Sequence, residues 1–131
     1  MAQKEIMKKL LTSASNPIIK ELVKIKTDAR FRREGGVVLI EGEKLIKDVS
    51  STNTLLCVLA TDERWLDEFT AQESYLITPE ILQKIASTET PEGVVALVEM
   101  PNLPFPKDLQ KLLVLDRVQD PGNVGALIRT A

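Results

Sequence analysis

The sequence predicts an α/β fold arranged as a three-layer α/β/α sandwich, and three observations carry that prediction. Short apolar runs recur at residues 37–40, 55–60, 75–77 and 93–98, the first of them compact and β-branched. Between them lie segments of about ten residues whose apolar positions recur at helical spacing. Capping residues stand where those segments open, as at Asn16, Asp62 and Thr78. Strands that alternate with short helices bury both faces of a sheet under helices.

Residues 3–11 are expected to form a short helical lead-in. The first firm signal is Ser13-Ala14-Ser15-Asn16-Pro17. Asn16 suits a helix cap, and Pro17 suits the first turn, where a missing amide hydrogen costs nothing. Ile18, Leu22 and Ile25, flanked by Ile19 and Val23, define an apolar stripe. The spacing predicts one helix continuing to about Arg33, which would put Lys26, Arg30 and Arg33 on a second shared face able to lie along a phosphate backbone. Lys20, Lys24 and Arg32 complete the candidate phosphate-binding set, and Gly35-Gly36 ends the helix.

Residues 37–40 form a compact strand, and Glu41-Gly42-Glu43 leads into a helix to about Ser50 with Leu45, Ile46 and Val49 inward. Residues 55–60 make the second strand. Thr61-Asp62 opens a helix to about Phe69 whose buried face is Trp65, Leu66 and Phe69. Residues 75–77 are the third strand, and Thr78-Pro79-Glu80 starts a helix carrying Ile81, Leu82 and Ile85. Residues 93–98 are the fourth strand. Trp65, Phe69, Tyr75 and Phe31 are assigned to the core, so any nucleic acid would be recognised by shape and phosphate rather than base by base.

Residues 99–108, EMPNLPFPKD, hold three of the seven prolines and read as a semi-rigid linker. They divide a domain at 1–98 from the opening of a second at 109–131. There, residues 112–115 (LLVL) fit a strand buried on both faces. Asp116 closes it, Asp120-Pro121-Gly122 supplies a turn, and Asn123 is expected to cap a helix running to Ala131. Strand, loop and helix in that order make half of a parallel unit.

The formal net charge of −2 conceals an asymmetry. Residues 1–33 hold nine Lys/Arg against three Asp/Glu, a net of +6, and residues 34–131 hold eight against sixteen, a net of −8. A basic arm on an acidic body points to a polyanion at one end of the molecule. Cys57, the single cysteine, sits among apolar residues and reads as a core thiol. With no histidine in the chain, neither a zinc site nor a His-activated nucleophile is expected. No apolar run approaches the roughly 20 residues of a membrane span, and no leader is evident, so a cytoplasmic address is expected.

The loop Pro121-Gly122-Asn123-Val124-Gly125 has two glycines at a helix start. No Gly-Lys-Ser/Thr follows, so it is not a P-loop, and it lacks the third glycine of a dinucleotide fingerprint. On the residues alone, Asn123 reads as a helix cap and Arg129 as a surface ion-pair partner.

Residues 120–131 (DPGNVGALIRTA), after an apolar run ending in Asp116, resemble the first signature motif of the SpoU (TrmH-like) class of RNA ribose 2′-O-methyltransferases. Thr12-Ser13 through Asn16-Pro17 with Ile19-Lys20, then Arg30-x-Arg32-Arg33 and Leu39-x-Glu41-Gly42, resemble the substrate-binding domain that precedes the catalytic domain in many members. Residues 90–96 (TPEGVVA) resemble that domain's last strand, with Glu92 where the family often has Gln. The matches span nearly the whole chain, in the family's order.

This resemblance implies a first domain like certain ribosomal proteins, used to grip structured RNA, either rRNA or tRNA. It implies a second, knotted SPOUT methyltransferase domain that binds S-adenosylmethionine and usually forms a homodimer. Asn123 matches the family's motif asparagine and Arg129 its arginine, the one assigned to the reacting ribose. A guanidinium stays protonated and stabilises negative charge better than it acts as a base. Arg129 is therefore expected to orient the 2′-oxygen and phosphate, and Asn123 to fix the loop or the arginine. The family's second and third motifs, with the cofactor-binding residues, would lie beyond residue 131. The chain by itself is accordingly expected neither to bind S-adenosylmethionine nor to methylate RNA. A stand-alone RNA-binding module of ribosomal-protein type is the alternative, and a small nucleotide- or protein-binding domain ranks below both.

Overall fold

The computed structural model describes residues 8–131. Its centre is a five-stranded sheet ordered β1-β4-β3-β5-β2. The strands are β1 (Lys9–Leu11), β2 (Val37–Glu41), β3 (Leu55–Ala60), β4 (Ala71–Ile77) and β5 (Val94–Glu99). β1, β4 and β3 run parallel, whereas β5 is antiparallel to both β3 and β2. The helices are α1 (Pro17–Thr27), α2 (Ala29–Gly35), α3 (Glu43–Ser50), α4 (Glu63–Glu68), α5 (Pro79–Ile85) and α6 (Pro121–Thr130).

Alternation along the strands creates two cores, one on each face of the sheet. Cys57, Leu59, Tyr75, Ile77 and Val95 point to one face and meet Ile19, Leu22 and Ile25 of α1 and Ile81, Leu82 and Ile85 of α5. Val58, Ala60, Val94, Ala96 and Val98 point to the other and meet Ile46 of α3 and Trp65, Leu66 and Phe69 around α4. Each fully buried Ile, Leu or Val contributes about 1.5–3 kcal/mol relative to exposure. This is the expected three-layer sandwich, and three of its caps fall where the sequence put them. Asn16 Oδ1 accepts from Ile18 N at 2.9 Å, Asp62 Oδ1 from Arg64 N at 2.9 Å, and Thr78 Oγ1 from Ile81 N at 3.4 Å. Gly36 ends α2 in the left-handed region at φ 61°, as a C-cap glycine should.

Five expectations need correction. The lead-in expected as helix contains β1 at residues 9–11, pairing parallel with β4, and residues 3–7 of it lie outside the described residues. β4 starts at Ala71, earlier than the apolar pattern showed, because its first half carries exposed Gln72 and Glu73. Leu45 is exposed; Ile46 alone of the three expected inward residues of α3 is fully buried. The long basic helix is two helices: Asp28 adopts an extended conformation (φ −114°, ψ 104°) and its carboxylate accepts from Arg30 N and Phe31 N. A short acidic side chain there offers the amides a better cap than a continued helix would. Residues 112–115 are exposed and form no strand, because no strand among the described residues pairs with them.

Candidate functional site

The break at Asp28 divides the six basic candidates into groups with different employment. Lys20 and Lys24 stand one turn apart on the exposed side of α1. Lys24 Nζ lies 4.3 Å from the centroid of the half-buried Phe31 ring. Arg33 is exposed and has no ion pair among the described residues. Arg30 is exposed but bonded to Glu34 Oε1 at 2.7 Å. Lys26 donates to the carbonyl of Lys84 at 3.1 Å, tying α1 to α5. Arg32 is turned inward, and its Nη1 donates to the carbonyls of Ile25 and Lys26 at 2.7 Å each. Those carbonyls belong to the last turn of α1, so Arg32 satisfies acceptors that the helix end leaves open. Lys26, Arg30 and Arg33 therefore do not form one row, because a row at helical spacing requires a continuous helix.

At the C-terminal motif, α6 begins at Pro121. Its cap is Asp120, whose Oδ2 accepts from Asn123 N at 2.9 Å, so Asn123 is the third helical residue and not the cap expected from the sequence. That leaves the Asn123 carboxamide free of capping duty. Six positions separate Asn123 from Arg129, which places them about 120° apart around the helix. Arg129 lines an open cleft of about 260 Å³ with Glu41, Gly42, Lys44, Leu45, Asp48 and Glu92. None of the six basic candidates lines it.

Two of the three carboxylates in that cleft, Glu41 and Glu92, have a capping role that their place in the sequence motifs did not reveal. Glu41, at the end of β2, accepts from Ser87 N at 2.6 Å and Thr88 N at 3.1 Å. Glu92, just before β5, reaches back to accept from Glu43 N at 3.0 Å. Together they clasp the start of α3 to the loop before β5. A legible signal did exist: Gly42 opens α3 without a side chain to cap it, so the acceptor had to come from elsewhere.

The remaining titratable groups are structural. Burial pushes the Cys57 thiol up to about 12. Tyr75 also rises to about 12, through burial first and then its 2.8 Å hydrogen bond to Glu73. Neither supplies a nucleophile near neutral pH. Lys47 is raised by its bonds to Glu43 and Glu68, and Lys8 by its bond to Asp67. Among the described residues no group of three His, Cys, Asp or Glu could hold a metal ion, and no helix is long and apolar enough to cross a membrane.

The family model described as the MRM3-like substrate binding domain matches residues 16–96. The chain is 33% identical over 126 residues to the 23S rRNA (guanosine(2553)-2′-O)-methyltransferase RlmP of Bacillus subtilis, covering 94% of this chain and 50% of that protein. It resembles the crystal structure of an RNA 2′-O ribose methyltransferase with a TM-score of 0.71 at 23% identity, over 92% of this chain and 50% of the other. It also resembles the SpoU methyltransferase AviRb from Streptomyces viridochromogenes in complex with the cofactor AdoMet, with a TM-score of 0.64 at 24% identity, over 88% and 48% of the two chains. These structural likenesses speak for the fold. The chain spans about half the length of the curated relatives named first.

Proposed function

Because the chain belongs to the MRM3-like substrate-binding-domain family, we propose that it is the RNA-gripping part, with the first catalytic motif, of an RNA ribose 2′-O-methyltransferase of the SpoU (TrmH-like) class. The observation that carries the reading is the order of parts: a sandwich bearing a basic α1–α2 corner, then a motif in which Asp120 takes the cap and releases Asn123, with Arg129 at the edge of a cleft. The substrate is a structured RNA, rRNA or tRNA. Lys20, Lys24 and Arg33, the cations least committed inside the protein, make its phosphate contacts, with Arg30 able to exchange its surface pair with Glu34 for a phosphate.

Arg129 orients the reacting ribose and steadies negative charge developing on its 2′-oxygen, which a planar, always-protonated guanidinium does well. The Asn123 carboxamide, one donor group and one acceptor, holds the loop or the arginine in register. S-adenosylmethionine supplies the methyl group in this reading, but the described residues do not by themselves fit it. Gly122 and Asn123 are exposed, a Cβ on Gly125 would meet nothing within 4 Å, and the clefts beside α3 are lined chiefly by carboxylates and lysines. The work of residues 120–131 here is confined to the RNA.

The whole protein acts as a homodimer in the cytoplasm. Exposed Leu112, Val114 and Ile128 support further burial around the C-terminal motif. The test is methyl transfer from labelled S-adenosylmethionine to rRNA and tRNA transcripts by the full-length protein, with ribose methylation read by resistance to alkaline cleavage. Label at a base, or none, would overturn the reading; salt-sensitive RNA binding without transfer would favour a binding module.

A further inference from the structure

We infer that Phe31 is a stacking platform for one unpaired RNA nucleobase, and that Lys24 covers the platform until a phosphate draws it away. The inference rests on the RNA-binding reading above and adds a base-contacting residue to a surface otherwise able to read only phosphates.

Trp65, Phe69 and Tyr75 are buried, at 8%, 4% and 5% exposure, and have no face to offer. Phe31 differs. It packs against the α1–α5 core from the periphery and remains half-buried at the head of α2. Its position is fixed twice over, because Asp28 accepts a hydrogen bond from Phe31 N at 3.0 Å and Arg32, the next residue, is locked onto the end of α1. A ring held this way loses little freedom on binding.

Lys24 Nζ stands 4.3 Å over the ring. An ammonium over the outer face of a half-buried ring is a weak contact, and an RNA phosphate competes for it with full charge. Lys20, one turn back on the same row of α1, offers a second cation beside it. When Lys24 swings to the phosphate, the face it leaves is flanked by the cations holding the adjoining backbone. Aromatic face plus neighbouring cations is the chemistry that single-stranded and looped RNA uses, and every base can stack on it.

The experiment uses the whole chain and two hairpin RNAs identical in stem, loop length and charge, one with bases in its loop and one with an abasic loop. Wild type should bind the base-containing loop about tenfold more tightly than the abasic one. Phe31→Leu keeps the apolar packing without the π-face and should bind both at the abasic affinity. Phe31→Tyr should restore the preference. Lys24→Met should keep the preference and lower the salt slope by about one. Phe31→Leu retaining the wild-type preference, or wild type binding both hairpins equally, would overturn the platform while leaving RNA binding intact. Failure of wild type to bind either hairpin would remove the RNA-binding reading and the platform with it.

Discussion

Glu92 caps a helix that begins 49 residues earlier in the chain: its Oε2 accepts from Glu43 N at 3.0 Å, at the point where α3 opens on a residue without a side chain. Gly42 is both the reason the cap is needed and the reason it fits. Its φ of 92° suits glycine, and a Cβ there would approach Glu92 Oε2 to 3.1 Å.

Glu92→Ala is therefore expected to cost about 1 kcal/mol, the usual loss for a helix cap, and Glu92→Gln only about 0.5 kcal/mol, since an amide oxygen still accepts. Gly42→Ala should cost more than Glu92→Ala, because it strains the backbone and crowds the cap together. Urea unfolding of the three variants checks this ranking. A Glu92→Ala protein as stable as wild type would show that the bond contributes nothing.

Arg32 and Arg33 are adjacent, yet their substitutions should act on different properties. Arg32→Ala removes two 2.7 Å bonds to the last carbonyls of α1 and should destabilise the protein by about 1–3 kcal/mol. Arg33→Ala, combined with Lys20→Ala and Lys24→Ala, should leave the melting temperature nearly unchanged. The triple variant should weaken binding to structured RNA and lower the salt slope by about two to three. Thermal melts beside filter binding at several salt concentrations separate the two effects.

That contrast marks where the sequence was legible. Helical periodicity and short apolar runs identified the elements that line both cores, because burial of Ile19, Leu22 and Ile25 is written into helical spacing and that of Val58 and Ala60 into a continuous apolar run. The break at Asp28 was less visible: a capping aspartate inside an amphipathic pattern competes with the pattern, and only the observed backbone settles which wins. β1 was hidden because three residues carry too little periodicity, and their strand pairing with β4 is made far along the chain. The Glu41 and Glu92 clasp was hidden for the same reason, since both carboxylates bond residues more than 40 positions away. Asn123 and Arg129 came from motif resemblance, not from any pattern of burial.

Stability should fall as pH rises between about 9 and 12. The Cys57 thiol, ordinarily near 9.0, is pushed up to about 12 by burial, and Tyr75 from 10.0 to about 12. Both groups hold their protons more tightly folded than unfolded, so in that window the unfolded chain gains by ionising and the native state does not. Cys57→Ala should flatten the onset of the decline near pH 9, leaving the part due to Tyr75. Denaturation midpoints across pH 7 to 11 check the sign. The same burial predicts that native Cys57 reacts with a thiol reagent at pH 8 only as fast as the protein opens.

Arg129 offers the sharpest test of the catalytic motif. It is exposed, lines the cleft beside Glu41, Asp48 and Glu92, and contributes nothing to either core, so its replacement should not unfold the protein. On the proposed function, Arg129→Ala in the full-length protein should lower the rate of methyl transfer by about 100-fold or more, the usual loss for one donor aimed at developing charge. Arg129→Lys should recover little of it under the proposed role, because an ammonium keeps the charge but loses the planar fork that would fix ribose and phosphate together. RNA affinity should change by no more than a few-fold in both variants if the phosphate grip is the one proposed on α1 and α2. If Arg129→Lys transfers methyl groups at the wild-type rate, charge alone suffices and the orienting role assigned to the guanidinium is wrong. If both variants lose RNA binding in proportion to activity, Arg129 belongs to the grip and not to the reacting ribose.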